Sequence, residues 1–581
     1  MRDFIFSNKQ VKRGKLADSL ANIYSQPVET KELHGKWGSL ALVNNLYHGF
    51  QTIETKDHIV FVIGGPVLTF RDNQFLVAPD GSQAVESIYH YWIKQKKINW
   101  SEDLSGPFLA VCVDKKTGEL RVVTSLMGAI HLFFFQDQGH LLAGTHVDVV
   151  AKISRQSQNL DLVTIAEFIQ KTRITPPFTT YKKIKKTAPA TRYTFSDNNI
   201  KANAYWLPTE DNPFSSIEEA ASHLREAHQD FIDKLPLQKQ KAAILLSGGQ
   251  DSRAVLASIP KNCEKTGIIF LDQMNREGKI ARKAAEIYEA DFKLAIRSKT
   301  RYLDILPQAA KMVGSTENYL ASNSQVLSRK LNLNGYPFVF DGSFADNLFK
   351  CYRVEKYKPI LLPFIPELKK TEQSVLLESS SFLKDEVVQA INQRRQKRLN
   401  FLKQIRPNSA EEWFYFWPAG YTWLPHLITN RRLFRAYFPF LANKVVKVAA
   451  AVPQKWKLQR RLFTRAYRPL YKRSWYLPHS YGWFPYFPWY INLFIKYPVV
   501  KYLRLLETLG IDKHQHPWFD WNNIENTSQY FQSSNQYRSG YEKIKSIFKT
   551  RDHQELLRNH LKKRQKFNML QTCYLQMQIN D

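Results

Sequence analysis

Ala242-Ala243-Ile244-Leu245-Leu246-Ser247-Gly248-Gly249-Gln250-Asp251-Ser252-Arg253 carries three changes of local character in twelve residues. The apolar run Ala242–Leu246 is too short for a helix and reads as a strand buried on both faces, which points to a parallel sheet. Ser247-Gly248-Gly249 stops it, and Ala254, Val255 and Leu256 resume apolar character at helical spacing. A strand, a glycine turn and a helix N-terminus together form an anion site, because backbone N–H groups converge there and the helix dipole favours negative charge. The glycines let the backbone approach anion oxygens closely. Asp251 repels a bare phosphate but suits the Mg²⁺ that accompanies one. A plain strand-to-helix turn is the competing reading of a Gly-Gly pair.

Around that stretch the composition is that of a globular protein long enough, at 581 residues, for two to four domains. Cys112, Cys263, Cys351 and Cys573 lie far apart without CxxC spacing. That argues against a structural zinc site, a redox pair or a disulfide framework, and suits a reducing, cytoplasmic setting. Met1-Arg2-Asp3-Phe4 opens no hydrophobic signal core, and no run of 18 apolar residues offers a transmembrane span. The formal charge of +31 suggests an acidic partner, or a leader peptide on a basic surface. Its basic clusters (182–186, 394–398, 431–435, 460–465 and 562–564) are dispersed, and no RNA-recognition string accompanies them, so nucleic acid is disfavoured.

Upstream, residues 1 to about 205 read as strand-rich. His58–Ile63, Phe108–Val113, Leu120–Thr124, Leu132–Phe135 and Leu141–Ala143 are short β-branched or aromatic runs, and Leu162–Lys171 reads as a helix. Asp211-Asn212-Pro213 marks a linker, and Ser216-Ile217-Glu218-Glu219 is a capping box opening a helix. Downstream of the glycine turn, Thr266–Leu271 reads as a second strand and Glu277–Tyr288 as a helix. This βαβα alternation predicts a doubly wound parallel sheet with ligands at the carboxyl ends of its strands.

Ser-Gly-Gly-x-Asp-Ser after an apolar strand resembles the pyrophosphate loop of the AMP-forming ATP pyrophosphatases, the asparagine synthetase group among them. It lacks the Gly-Lys-Ser/Thr ending of a γ-phosphate-transferring loop. Gly106-Pro107-Phe108, Gly128 to Phe134, Leu142 to Thr145 and Thr180 to Lys186 resemble the glutamine amidotransferase domain that precedes such synthetases. The resemblance implies an Ntn-hydrolase-like β-sandwich over 1–208 and a synthetase domain over 209–581. That glutaminase chemistry needs a cysteine at position 2, where Arg2 stands, and a glutamine-binding Asn-Gly-Glu, where Gly64-Gly65-Pro66 stands. The expectation is a glutaminase fold without glutaminase activity.

A second string, Phe338-Val339-Phe340-Asp341-Gly342-Ser343-Phe344-Ala345-Asp346-Asn347-Leu348-Phe349, is similar to the family's Ser-Gly-Glu-Gly-Ala-Asp-Glu-Leu-Phe. By that likeness Asp346 joins Asp251 in clamping Mg²⁺, Gly342 lies beside the adenosine, and Ser343 replaces the acceptor-site glutamate. Leu246, Ser247, Gly248, Gly249, Ser252 and Phe270 complete the expected ATP pocket. Arg461 and Arg465 are the nearest matches to the lysine that stabilises phosphate charge, with a solvated helix face as the competing reading. Ala442 stands where the family has aspartate. Glu411 and Glu412 offer acid–base chemistry without a placement. The aromatic segment 474–505, cut by Pro478, Pro485 and Pro488, excludes a continuous helix and reads as core, a substrate wall, or a peripheral membrane patch beside Lys496 and Lys501.

The expected activity is an AMP-forming carbon–nitrogen ligase of the asparagine synthetase type. ATP and Mg²⁺ would activate a substrate carboxylate, and a substrate-borne amine or free ammonia would capture it. Lactam or lasso-peptide-type cyclisation, an RNA-modifying ATP pyrophosphatase and a non-catalytic ATP-binding scaffold are the alternatives.

Overall fold

The computed structural model describes residues 2–196, 199–351, 355–357, 367–369, 375–418, 424–510 and 524–578. The amino-terminal region is a sandwich of two six-stranded sheets in which every neighbouring pair is antiparallel. Period-2 alternation builds it. Phe4 and Phe6 of one sheet, and Ile59, Phe61, Ile63, Leu109, Val111 and Val113 of the other, meet in the middle. The residues between them face outward under helices. Ile5 and Val43 pack beneath Lys15–Ala21 and Val147–Ile153, and Val60 and Val62 beneath Gln83–Tyr89. The result is the four-layered, Ntn-hydrolase-like α+β arrangement expected.

After the linker, α1 (Ile217–Asp233) begins at Ser216, whose hydroxyl accepts from the Glu219 amide at 3.1 Å. The Glu219 carboxylate reaches back one residue further than a capping box does, to the Ser215 amide at 2.8 Å. A five-stranded parallel sheet follows, with β1 (Lys241–Leu245), β2 (Glu264–Leu271), β3 (Ala290–Ile296), β4 (Phe338–Asp341) and β5 (Ala436–Tyr437) in the spatial order β3-β2-β1-β4-β5. Helices α2 (Gln250–Ser258) and α3 (Arg276–Ile287) cross between its first strands. The strand order reverses between β1 and β4, the switch point at whose carboxyl end open sheets of this kind bind ligands. Leu245 lies level with Asp341 across that pair. Residues 247–251 and 342–346 therefore emerge side by side.

The two units share one hydrophobic core. Tyr47, Val60 and Ala110 of the sandwich cluster with Phe231, Ile244 and Phe440 of the second unit. The basic cluster at 394–398 lies on α5 (Asp385–Ile405), and much of what precedes that helix lies outside the described residues. In the aromatic segment, the three prolines precede a helix of twenty residues, α8 (Trp489–Thr508), which carries Pro498 inside it. The segment 474–505 is thus not one continuous helix, as Pro478, Pro485 and Pro488 imply. Its aromatics divide: Trp483 is buried, whereas Trp475, Tyr476, Tyr481 and Tyr490 are exposed. The Lys496 side chain lies outside the described residues. Among the described residues no helix is long and apolar enough to cross a membrane.

Candidate functional site

The glycine turn closes on itself. The Ser247 amide donates to Ser252 Oγ at 3.0 Å, the Gly249 amide to Ser247 Oγ at 3.1 Å, and the Gly248 amide to Glu277 Oε1 at 2.8 Å. Side-chain oxygens thus take the places that anion oxygens would take at a phosphate loop. Glu277, at the start of α3, is almost fully buried, and burial pushes its carboxyl up while the Gly248 amide pulls it down. Gln250, the first residue of α2, is 1% exposed and neither side-chain amide atom has a partner. A buried, unsatisfied amide beside a helix N-terminus fits a polar ligand that completes it.

The loop after β4 presses directly on α2. A Cβ on Gly342 would lie 2.8 Å from the Ser252 amide nitrogen and 3.0 Å from the Asp251 carbonyl carbon, so only glycine permits this approach. Ser343 donates its amide to Asp341 Oδ1 at 2.8 Å, and its hydroxyl to the same oxygen, closing the turn. Phe344 then takes φ of +80°, a left-handed conformation rare for a bulky residue. The short helix α4 (Ala345–Phe349) follows and presents Asp346.

Asp251 and Asp346 come together here, as the two motifs imply, and both bind the ammonium of Lys350. Its Nζ lies 2.8 Å from Asp346 Oδ1 and also bonds Asp251 Oδ1. The ring of Phe463 lies beneath that ammonium at 4.7 Å. The Asp251 carboxyl is pushed up to about 6, chiefly by withdrawal from water and by the charge of Asp346, against the pull of Lys350. Asn347, which follows Asp346, is buried with an unpartnered Nδ2.

Arg460 supplies a second cation. Burial pulls its guanidinium down, and Asp346 and Asp251 are the leading charges that oppose this. Its Nε has no partner, and its plane lies 4.2 Å over the Trp483 ring. Of the two arginines singled out from sequence, Arg465 turns instead to Glu218 on α1 at 2.8 Å. Arg461 keeps an unpartnered, buried Nε. Arg460 precedes α7 (Arg461–Tyr467) in a left-handed conformation, φ +60°, as does Gln459 before it, φ +52°.

The aromatic segment forms one wall. Arg253 of α2 donates to the carbonyls of Leu477 and Pro478 at 2.8 and 2.9 Å, and Tyr471 donates to the Gln250 carbonyl at 2.9 Å. His479 stacks on Trp483 at 4.5 Å, and its Nε2 would lie 3.5 Å from a Cβ on Gly249. Leu246 and Phe270 belong to the sheet interior, each 3% exposed. Behind β4, Asp341 pairs with His426 Nε2 at 2.8 Å, and that charge holds its carboxyl low against the effect of burial. Glu412 accepts from Gln454 Nε2 at 3.0 Å, in a buried group with Lys457. Lys350, Arg460, Gln250 and His426 were not singled out from sequence. Only Lys350 left a trace, four residues after Asp346 on one helical face.

In the amino-terminal unit, the place of the expected glutamine-binding string is filled. A Cβ on Gly65 would lie 2.0 Å from the Tyr47 ring, and the cavity lined by Tyr47, Gly64, Gly65 and Tyr437 measures about 20 Å³. That is room for about one water molecule. Asp3, at the head of the first strand, is fully buried between Arg432, Arg431, Tyr24 and Thr145. Part of the net charge is therefore internal: Arg431 and Arg432 serve Asp3, and Arg395 pairs with Glu167 at 2.8 Å.

Residues 223–483 match the asparagine synthase family, and residues 81–206 match the glutamine amidotransferase domain. Over 175 residues the chain is 25% identical to asparagine synthetase [glutamine-hydrolyzing] 3 of Bacillus subtilis (strain 168), a match covering 29% of this chain and 28% of that protein. Among solved structures, an allosteric regulatory enzyme of purine biosynthesis aligns at a TM-score of 0.24 and 10% identity, over 50% of this chain and 80% of its own. The glutamine phosphoribosylpyrophosphate amidotransferase from B. subtilis, complexed with ADP and GMP, aligns at 0.22 and 8%, over 50% of this chain and 81% of its own.

Proposed function

We propose that this chain, which joins a glutamine amidotransferase domain to an asparagine synthase domain as the asparagine synthetase family does, is an ATP-dependent amide-forming ligase that no longer draws ammonia from glutamine. The observation that carries the reading is the junction of loops at the carboxyl ends of β1 and β4. The Ser247–Gly249 turn and the Asp346 loop meet there, with Gly342 against the Ser252 amide. An anion seated on that turn would replace three side-chain acceptors with its own oxygens, and the Gln250 amide would gain a partner.

In this reading a substrate carboxylate attacks the α-phosphorus of ATP. The bond to the β-phosphate oxygen breaks and pyrophosphate leaves from the turn. Lys350 and Arg460 stand where negative charge accumulates on that leaving group. An amine then attacks the acyl-adenylate carbonyl, forming the amide and releasing AMP. The amine would come from the substrate or from free ammonia, a reading supported by the close packing of Tyr47 on Gly65 in the amino-terminal unit.

ATP–pyrophosphate exchange against a panel of carboxylic acids tests this directly, with Asp251→Ala and Asp346→Ala as controls. Acid-dependent exchange that both variants lose supports adenylation and identifies the acid. Nucleotide binding without exchange for any acid would leave a nucleotide-binding scaffold, and an absence of nucleotide binding would end the proposal.

A further inference from the structure

Two carboxylates from separate strand ends would ordinarily suit a divalent cation that also meets substrate phosphates. Here Asp251 and Asp346 share the ammonium of Lys350. The arrangement is built in. The Lys350 side chain is 6% exposed, the Phe463 ring lies 4.7 Å beneath its ammonium, and the backbone is left-handed on both sides, at Phe344 (φ +80°) and Cys351 (φ +47°). Such conformations persist only where the surroundings over-determine them. Arg460 adds a second positive charge opposite the same two carboxylates. Two negative side chains thus face two positive ones. A metal ion held by both carboxylates would have to displace Lys350, whose side chain is 6% exposed, and before nucleotide binds would sit beside two cations that have lost their counter-charges. The donor set as folded does not fit a divalent cation between Asp251 and Asp346.

We infer that Lys350 is this chain's own cation at the carboxylate pair, and that it makes nucleotide binding at the Ser247–Gly249 turn independent of a metal ion. The inference rests on the ATP-binding reading above. It assigns Lys350 as a positioning residue: its ammonium holds Asp251 and Asp346 together and presents positive charge to the phosphates.

The experiment measures ATP affinity by calorimetry on the full chain, in excess EDTA and in excess MgCl₂, for wild type and for Lys350→Met, which keeps the length of the side chain without its charge. Wild-type affinity should change by less than about threefold between the two media, whereas Lys350→Met should lose about tenfold or more in EDTA and recover in MgCl₂. Electron paramagnetic resonance with Mn²⁺ alone supplies a readout that needs no nucleotide: wild type should take up no stoichiometric Mn²⁺, and Lys350→Met should gain one site that Asp346→Ala, added to it, removes. Wild-type ATP binding that requires MgCl₂, or stoichiometric Mn²⁺ uptake by wild type, overturns the role of Lys350 while leaving the nucleotide site standing. Failure to bind ATP in either medium overturns both.

Discussion

Tyr47 and Ala436, separated by 389 residues in sequence, exchange two hydrogen bonds: the tyrosine hydroxyl donates to the Ala436 carbonyl at 2.8 Å and accepts from the Ala436 amide at 3.0 Å. The edge strand of the parallel sheet is thereby fastened to the sandwich. Tyr47→Phe leaves a buried N–H and a buried C=O without partners, which should cost about 1–3 kcal/mol, read as a lowered Tm. Glutamine incubated with the wild-type protein should release no glutamate; sustained release would show that the filled pocket opens.

Arg460 and Arg465 are five residues apart and should behave very differently. Arg460→Ala should lower ATP–pyrophosphate exchange by about 10²-fold or more, the scale for losing a charged group that stabilises a developing anion. Arg465→Ala breaks an ion pair with an exposed glutamate, and exposed pairs contribute roughly 0–1 kcal/mol, so exchange should stay within about twofold. Equal losses in the two variants would return Arg465 to the site.

Asp3 is held by Arg432 and Arg431, and although burial raises its carboxyl, those guanidiniums bring it well below the usual carboxylate range. A depressed folded-state value gives stability that is complete above the unfolded value of about 3.9 and fades only as pH falls below it. Asp3→Asn should therefore destabilise by about 3–5 kcal/mol, and the gap in thermal midpoint from wild type should be equal at pH 7 and pH 5. A gap that shrinks between those two conditions would mean that the carboxyl titrates close to its ordinary range.

His228 lies under the sheet against Phe440 and Tyr467, at ring distances of 5.0 and 5.3 Å, and burial lowers its pKa to about 3. The unfolded chain takes up a proton near pH 6.5 that the folded chain refuses, so stability falls as pH drops from about 6.5 toward 3, by up to about 1.4 kcal/mol per unit. His228→Leu removes this component, and its acid-side loss of thermal midpoint should be shallower than that of wild type. Parallel curves would show that His228 is protonated in the fold.

Much of this architecture could be read from the chain because its determinants are local. The apolar run before Ser247, the period-2 runs of the sandwich and the hydroxyl cap at Ser216 each act within a few residues, and each appears where the sequence placed it. The meeting of Asp251 with Asp346 follows from two strands ending level with one another. The charge that answers them was harder to see. Lys350 looks like a surface lysine until Phe344 and Cys351 bend the chain around it, and Arg460 is turned into the site by a left-handed backbone that it shares with Gln459. Tyr47 and Arg432 likewise carry no sign of partners roughly four hundred residues away. Pro478, Pro485 and Pro488 do interrupt the aromatic segment, and α8 begins only after the last of them, although it carries Pro498 within it.

The pairing of Asp3 with Arg432 spans 429 residues, and that separation is also an interval of time. A ribosome adding about 5–20 residues per second makes the aspartate roughly 20–90 seconds before the arginine that neutralises it. Through that interval the first sheet carries a carboxylate that belongs in its interior and has only the hydroxyls of Tyr24 and Thr145, and no positive charge, to answer it. The amino-terminal half can thus collapse early but becomes secure only when the later half arrives, so a truncation short of residue 432 should yield a chain that waits, exposed to chaperones and proteases, for a partner that never comes.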